Sequence, residues 1–210
     1  MDMNTHQGYL LVVEDVPDIL VLLHETLKFK GYRVITARNG LEALEAIEKD
    51  PPALIITDIL MPKMDGFSLV HRLRLDPTTR NIPIIFLSAT YVAPEDKSFA
   101  LTIGVTRFIE KPVNLETFFP VIEELLNQKE AEPPELLDET GFYEGYRKRL
   151  EIKLKHKNTQ IARDENLLKT LTGTERVSFE ASLRQSMAER EEIQHLLEQI
   201  RSRLGSLRTS

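Results

Sequence analysis

Five short apolar segments alternate with helical patterns over residues 8–128, and this alternation limits the possible folds more than any other feature. The first segment, Tyr9 to Val13, is apolar without interruption, as expected for a strand buried on both faces of a parallel sheet. Similar segments lie at 33–36, 53–57, 83–87 and 105–109. Apolar residues at helical spacing follow each one. We predict a doubly wound α/β fold with a five-stranded parallel sheet at residues 1–128.

The pattern changes after residue 128. Residues 129–138 are acidic and contain the pair Pro133-Pro134, which predicts a linker. Residues 139–210 show helical periodicity only, with predicted helices at 141–171 and 175–207. Gly173 suits the position after the first helix and Thr174 the N-cap of the second. We therefore predict an antiparallel helical hairpin, whose apolar stripes a second hairpin would cover in a dimer.

Charge and composition separate the two parts and exclude several classes of protein. Residues 1–138 carry a net charge of −9 and residues 139–210 a net charge of +3, which suggests different roles. The total of −6 argues against nonspecific binding of nucleic acid. There is no cysteine, no signal-peptide pattern and no run of about 20 apolar residues that could span a bilayer. We expect a cytoplasmic protein without membrane contact.

Polar residues follow four of the five predicted strands. Glu14 and Asp15 come after the first, Asp58 after the third, Ser88 after the fourth and Lys111 after the fifth. In an open parallel sheet, ligands bind at the carboxyl ends of the strands, near the point where the strand order reverses. Three carboxylates, a hydroxyl and an ammonium group are therefore expected at one edge of the sheet.

One reaction accounts for this set of side chains. Oxygen ligands without histidine or cysteine favour Mg²⁺, which relieves the repulsion between crowded carboxylates. Transfer of a phosphoryl group to a carboxylate gives an aspartyl phosphate. The charge on the phosphoryl oxygens requires positioned cations and donors, and Lys111 and Ser88 supply them.

Four segments in order resemble the receiver domain of bacterial response regulators, over residues 8–128. They are LLVVEDVPDIL, TDILMPKMDGF, IFLSA and FIEKPV. The resemblance implies that a sensor histidine kinase phosphorylates Asp58. It implies that Asp15 binds Mg²⁺ directly, Glu14 mainly through water, and Asp58 and the backbone carbonyl of Leu60 complete the protein ligands. Since Leu60 has no polar side chain to position water, we expect slow dephosphorylation.

The resemblance also implies a switch. Ser88 would move towards the phosphoryl group, and Phe108, three residues before Lys111, would turn inward. The surface of the fourth helix, fifth strand and fifth helix would change as a result. The peptide bond before Pro112 is expected to be cis.

The sequence indicates the function of the hairpin less specifically than that of residues 8–128. We interpret residues 139–210 as a dimerisation module that docks an unknown downstream protein, with no catalysis beyond the protein's own phosphorylation and dephosphorylation. Binding of nucleic acid through the basic run 147–157 is a weaker alternative, since acids are interspersed. A second alternative passes phosphate to His156 or His195. Neither has the flanking residues of a phospho-accepting histidine, so we predict no catalytic histidine.

Overall fold

The chain forms two compact units, residues 1–136 and 137–210. The computed structural model describes residues 8–88, 94–128, 137–170 and 172–208. Most of the predicted linker, residues 129–136, lies outside the described residues. Within these ranges, no helix has both the length and the apolar character needed to cross a membrane.

Strands and helices alternate through the first unit. The strands are β1 (Leu10–Val13), β2 (Val34–Ala37), β3 (Leu54–Asp58), β4 (Ile84–Ser88) and β5 (Arg107–Glu110). The helices are α1 (Pro17–Phe29), α2 (Gly40–Lys49), α3 (Gly66–Leu75), α4 (Pro94–Thr102) and α5 (Leu115–Asn127). The sheet has the order β2-β1-β3-β4-β5, and all its neighbouring strands are parallel. The predicted doubly wound fold is confirmed.

Both faces of the central strands are covered. On one face, Val12 and Ile56 join a fully buried cluster with residues of α1 and α5. On the other face, Phe86 of β4 meets Phe67 of α3 edge-on, with ring centroids 5.2 Å apart. Because alternate residues of a strand point to opposite faces, a strand covered on both sides is apolar throughout. This explains the uninterrupted apolar runs of the sequence.

The second unit consists of α6 (Glu139–Leu168) and α7 (Gly173–Leu207). Arg203 pairs with Glu139 and Lys157 with Glu189, so the two helices run antiparallel and confirm the predicted hairpin. Five apolar residues of α7 are buried: Leu183, Ile193, Leu197, Ile200 and Leu204. Four apolar residues of α6 are buried as well: Phe142, Tyr146, Leu150 and Ile161.

The predicted caps between these helices are wrong. Gly173 is the first residue of α7 and Thr172 its N-cap, whereas the sequence suggested Gly173 for the position after the first helix and Thr174 for the N-cap of the second. The first helix ends earlier because both the backbone N–H and the hydroxyl of Thr170 donate to the carbonyl of Leu167, at 2.9 and 2.7 Å. These bonds close the last turn before the glycine is reached.

Candidate functional site

The site lies where β1 and β3 end side by side. Their parallel register pairs Val13 with Thr57, so Glu14 and Asp58 follow at the same level. One carboxylate oxygen from each of Glu14, Asp15 and Asp58 lies within 4.8 Å of the others. The chain passes from β1 to β2 on one side of the sheet and to β3 on the other, so this is the switch point of the topology. The structure thus brings the three predicted carboxylates together.

The ammonium group of Lys111 bridges two of these carboxylates. Its Nζ donates to Glu14 Oε2 and to Asp58 Oδ1, each at 2.6 Å. The backbone N–H of Lys111 donates to the carbonyl of Ser88 at 2.6 Å, which ties the segment after β5 to the end of β4. The lysine is therefore held at the cluster by its backbone as well as by its side chain.

Backbone N–H groups donate hydrogen bonds to the second carboxylate oxygen of Glu14 and of Asp58. Leu60 N–H donates to Asp58 Oδ2 at 3.0 Å, and Val16 N–H donates to Glu14 Oε1 at 3.3 Å. The two oxygens of Asp58 thus have different partners, the ammonium at Oδ1 and a peptide N–H at Oδ2. Sequence reasoning missed both contacts, because a backbone donor has no residue type that identifies it.

Burial and repulsion disfavour negative charge at the cluster. Burial raises the pKa of Glu14, and the Asp58 charge adds to this, while the hydrogen bond from Lys111 opposes it. Burial and the Asp58 charge also raise the pKa of Asp15. Burial alone would lower the pKa of Lys111, but the hydrogen bonds and charges of Asp58 and Glu14 outweigh it and raise that pKa. The site therefore holds more negative charge than its one ammonium group offsets.

These residues fit a hard divalent cation. Oxygen is the sole donor element of the three clustered side chains, and Glu14 is 1 % exposed. Oxygen-only sites of this kind suit Mg²⁺ rather than zinc. A bound cation would also offset the repulsion from Asp58, which adds to the effect of burial on the pKa values of Glu14 and Asp15.

Ser88 and Phe108 occupy different surroundings. Ser88 is buried at the end of β4, one residue beyond the Leu87 that pairs with Asp58, and so lies at the same sheet edge. Phe108 lies further back on β5, half-buried, with its ring centroid 6.4 Å from that of Phe86. The peptide bond between Lys111 and Pro112 is cis, as expected.

The start of α3 packs against the backbone of the site. Asp65 is the N-cap of α3, and its Oδ1 accepts from Ser68 N–H at 2.8 Å. Gly66 N–H donates to the carbonyl of Ile59 at 2.8 Å. Sequence reasoning gave no role to Gly66, because a glycine permits close backbone packing but does not specify which backbone approaches it.

Comparisons with known proteins agree on the first unit. The family model of the response regulator receiver domain matches residues 10–123. The response regulator PleD of Caulobacter vibrioides is 36 % identical over 132 residues, which are 58 % of this chain and 29 % of PleD. Less than a third of that relative is therefore covered.

Two solved structures extend the similarity to the fold. The receiver domain of a signal transduction histidine kinase from Syntrophus aciditrophicus is 35 % identical, with a TM-score of 0.54 over 59 % of this chain and 96 % of that chain. The chemotaxis response regulator CheY4 of Vibrio cholerae is 34 % identical, with a TM-score of 0.52 over 56 % of this chain and 98 % of that chain. Both are covered almost end to end.

Proposed function

This chain belongs to the response regulator receiver family, and we propose that it is a signalling switch in which a sensor histidine kinase phosphorylates Asp58. The observation that carries the proposal is the convergence of three carboxylates and Lys111 at one end of the sheet. In this proposal Mg²⁺ is held by Asp15, Asp58, the carbonyl of Leu60 and, through water, Glu14. The chemistry of the protein is limited to its own Asp58, and the cytoplasmic location stays a prediction.

The residues of the site divide the work of phosphoryl transfer. The N–P bond of a kinase phosphohistidine breaks, an O–P bond to the Asp58 carboxylate forms, and the imidazole leaves with the bonding electrons. Bound Mg²⁺ supplies positive charge to the phosphoryl oxygens. Lys111 adds a second cation beside Asp58, and Leu60 N–H orients the carboxylate through Oδ2. Ser88 supplies a hydroxyl at the same edge.

An exposed apolar face beside the site suits the kinase. Helix α1 begins two residues after Asp15, and its outer side carries Val21 and Leu22, which are 61 % and 65 % exposed. Exposed apolar side chains next to each other are typical of protein interaction surfaces. A kinase that docks here would hold its phosphohistidine close to the Asp58 edge of the sheet.

The switch and its lifetime form part of the same proposal. On phosphorylation, Ser88 moves towards the phosphoryl group and Phe108 turns inward, which alters the surface of α4, β5 and α5. Leu60 is 43 % exposed but offers no polar side chain to position water. We therefore expect an aspartyl phosphate that lasts much longer than seconds, and a half-life of seconds would contradict this part.

For the hairpin we propose dimerisation and docking of a downstream protein. The basic run of α6 gives little support to nucleic-acid binding, because Arg149 is buried and Lys157 pairs with Glu189 at 2.7 Å. His156 and His195 are exposed, and the His195 ring lies 2.9 Å from the amide of Gln199. Phosphate transfer to a histidine has no further support from these surroundings.

Phosphorylation by acetyl phosphate tests the central proposal. We expect intact-protein mass spectrometry to show one added phosphoryl group in the presence of Mg²⁺ and none after chelation. Asp58→Asn should abolish the addition, because the acceptor oxygen is lost. Asp18→Asn, which removes an exposed carboxylate on α1, is the matched control and should be labelled like the wild type. Equal labelling of Asp58→Asn and the wild type would disprove the assignment.

A further inference from the structure

The backbone carbonyl of Asp58 lies between the side chain of Thr57 and the start of α3. The hydroxyl of Thr57, a fully buried residue, donates to this carbonyl at 2.9 Å. The other neighbour is Gly66, the first residue of α3. A Cβ placed on Gly66 would lie 2.5 Å from the Asp58 carbonyl oxygen and 3.2 Å from the Cα of Ile59. The first contact leaves no room for a side chain, the second is tight, and both involve backbone that cannot rotate away.

This contact is connected to the carboxylate through two short links. Gly66 N–H donates to the carbonyl of Ile59, so the first turn of α3 fixes the peptide between Ile59 and Leu60. The N–H of this same peptide, Leu60 N–H, lies 3.0 Å from Asp58 Oδ2. The direction in which the chain leaves β3 therefore sets the hydrogen bond that orients the carboxylate.

We propose that Gly66 and Thr57 are positioning residues for Asp58: they hold its carbonyl between a hydroxyl and a helix start, and so fix the carboxylate against Leu60 N–H and Lys111. This inference rests on the proposed function, in which Asp58 accepts phosphate. A Cβ at residue 66 would push the backbone of Asp58 and Ile59 away. The same movement would displace the carbonyl of Leu60, the proposed backbone ligand of the metal.

Gly66→Ala is the first test. Since a misplacement of about 1 Å can lower a rate on the order of 100-fold, we expect labelling by acetyl phosphate to slow between about tenfold and 100-fold. Isothermal titration should also show weaker Mg²⁺ binding. Far-UV circular dichroism and the melting temperature show whether the variant is folded at the assay temperature. A folded Gly66→Ala with the wild-type labelling rate and Mg²⁺ affinity would overturn the proposal.

Two other glycines provide matched controls for the added methyl group. A Cβ on Gly205 in α7 would meet nothing within 4 Å, so Gly205→Ala should leave both readouts unchanged. A Cβ on Gly40 would lie 2.6 Å from the side chain and 2.9 Å from the carbonyl oxygen of Met64. It would therefore crowd the loop between β3 and α3, but at a point away from Asp58. Gly40→Ala should reduce stability but keep the labelling rate of the folded protein. Equal slowing by Gly40→Ala and Gly66→Ala would indicate general loop disruption and overturn the proposal.

Thr57 gives an independent test if Gly66→Ala does not fold. Thr57→Val removes the hydroxyl at nearly constant volume and should slow labelling, whereas Thr57→Ser keeps the donor and should restore it. Labelling of Thr57→Val at the wild-type rate would contradict the positioning role. If the wild type itself is not labelled, the proposed function fails, and the Mg²⁺ affinities of the variants still decide whether Gly66 and Thr57 shape the site.

Discussion

The receiver unit and the hairpin use their polar residues in opposite ways. The parallel sheet brings Glu14, Asp58 and Lys111 from strands far apart in sequence to one buried edge. The hairpin has charged residues along both helices, and some of them form ion pairs between the helices, as Arg201 and Glu151 do. Charged groups gathered at one edge of a sheet can form a chemical site. Ion pairs spread along two helices instead fix how the helices are aligned with each other. The residues suited to phosphoryl transfer therefore lie in the receiver unit, and the hairpin gathers no comparable site among its described residues.

The prediction with the largest expected effect is that each unit unfolds independently of the other. Ile56→Ala in β3 and Leu197→Ala in α7 each remove a nearly fully buried side chain, 0 % and 2 % exposed. Each should lower the free energy of unfolding by about 2–5 kcal/mol, through lost burial and the cavity left behind. We expect the loss to appear only in the unit that carries the substitution. Hydrogen exchange resolved by peptide mass spectrometry measures both units in one sample.

Exposed residues of the same kind serve as controls for this pair. Leu22→Ala on α1 and Val177→Ala on α7 truncate side chains that are 65 % exposed. Their effects should stay within about 0.5 kcal/mol. If Ile56→Ala and Leu197→Ala lowered protection equally in both units, the two units would unfold as one cooperative body.

The strands and the main site residues could be predicted from sequence, because burial on both faces and polar strand ends leave direct signs. Asp58 and Lys111 are examples, since Asp58 lies two residues after the apolar run 53–56 and Lys111 lies two residues after the segment 105–109. The hydrogen bond from Leu60 N–H and the close approach of Gly66 could not be predicted. They depend on the path of the backbone after β3, which residue types do not specify. The end of α6 at Leu168 was also missed, because local hydrogen bonds from Thr170 compete with the glycine signal.

The stability of the receiver unit should depend on Mg²⁺, and that of the hairpin should not. Mg²⁺ at 100 times its Kd should stabilise the receiver by about 2.7 kcal/mol, because it binds the folded site and not the unfolded chain. The hairpin should gain no protection. Asp15→Asn should weaken the effect by removing a proposed ligand, and Asp18→Asn, which removes an exposed acid near the start of α1, should not. Hydrogen exchange with Mg²⁺ or a chelator makes the measurement, and an equal gain in Asp15→Asn would rule out the predicted ligand set.

The smallest expected effect is the change in the stability of each unit when the pH is lowered. Burial favours a higher pKa for Glu189, but hydrogen bonds from Lys157 and Gln185 and the nearby lysine charges lower it overall. A carboxyl with a lowered pKa contributes stability above its ordinary pKa and loses it as the pH falls through the lowered value. Since the Glu189 side chain is 42 % exposed, the contribution should be below about 1 kcal/mol. The hairpin should therefore lose stability slightly on acidification.

Glu14 and Asp15 of the receiver without metal should contribute in the opposite direction to the same change. The raised pKa values of Glu14 and Asp15 mean that their contribution is present below the ordinary carboxyl pKa and is lost as the pH rises through the raised values. Hydrogen exchange between roughly pH 3 and pH 6, corrected for the intrinsic rate, compares both units. Glu189→Gln should remove part of the acid sensitivity of the hairpin, whereas Glu198→Gln, at an exposed position of α7, should not. An identical acid response of Glu189→Gln and the wild type would show that the pair with Lys157 fixes orientation without adding stability.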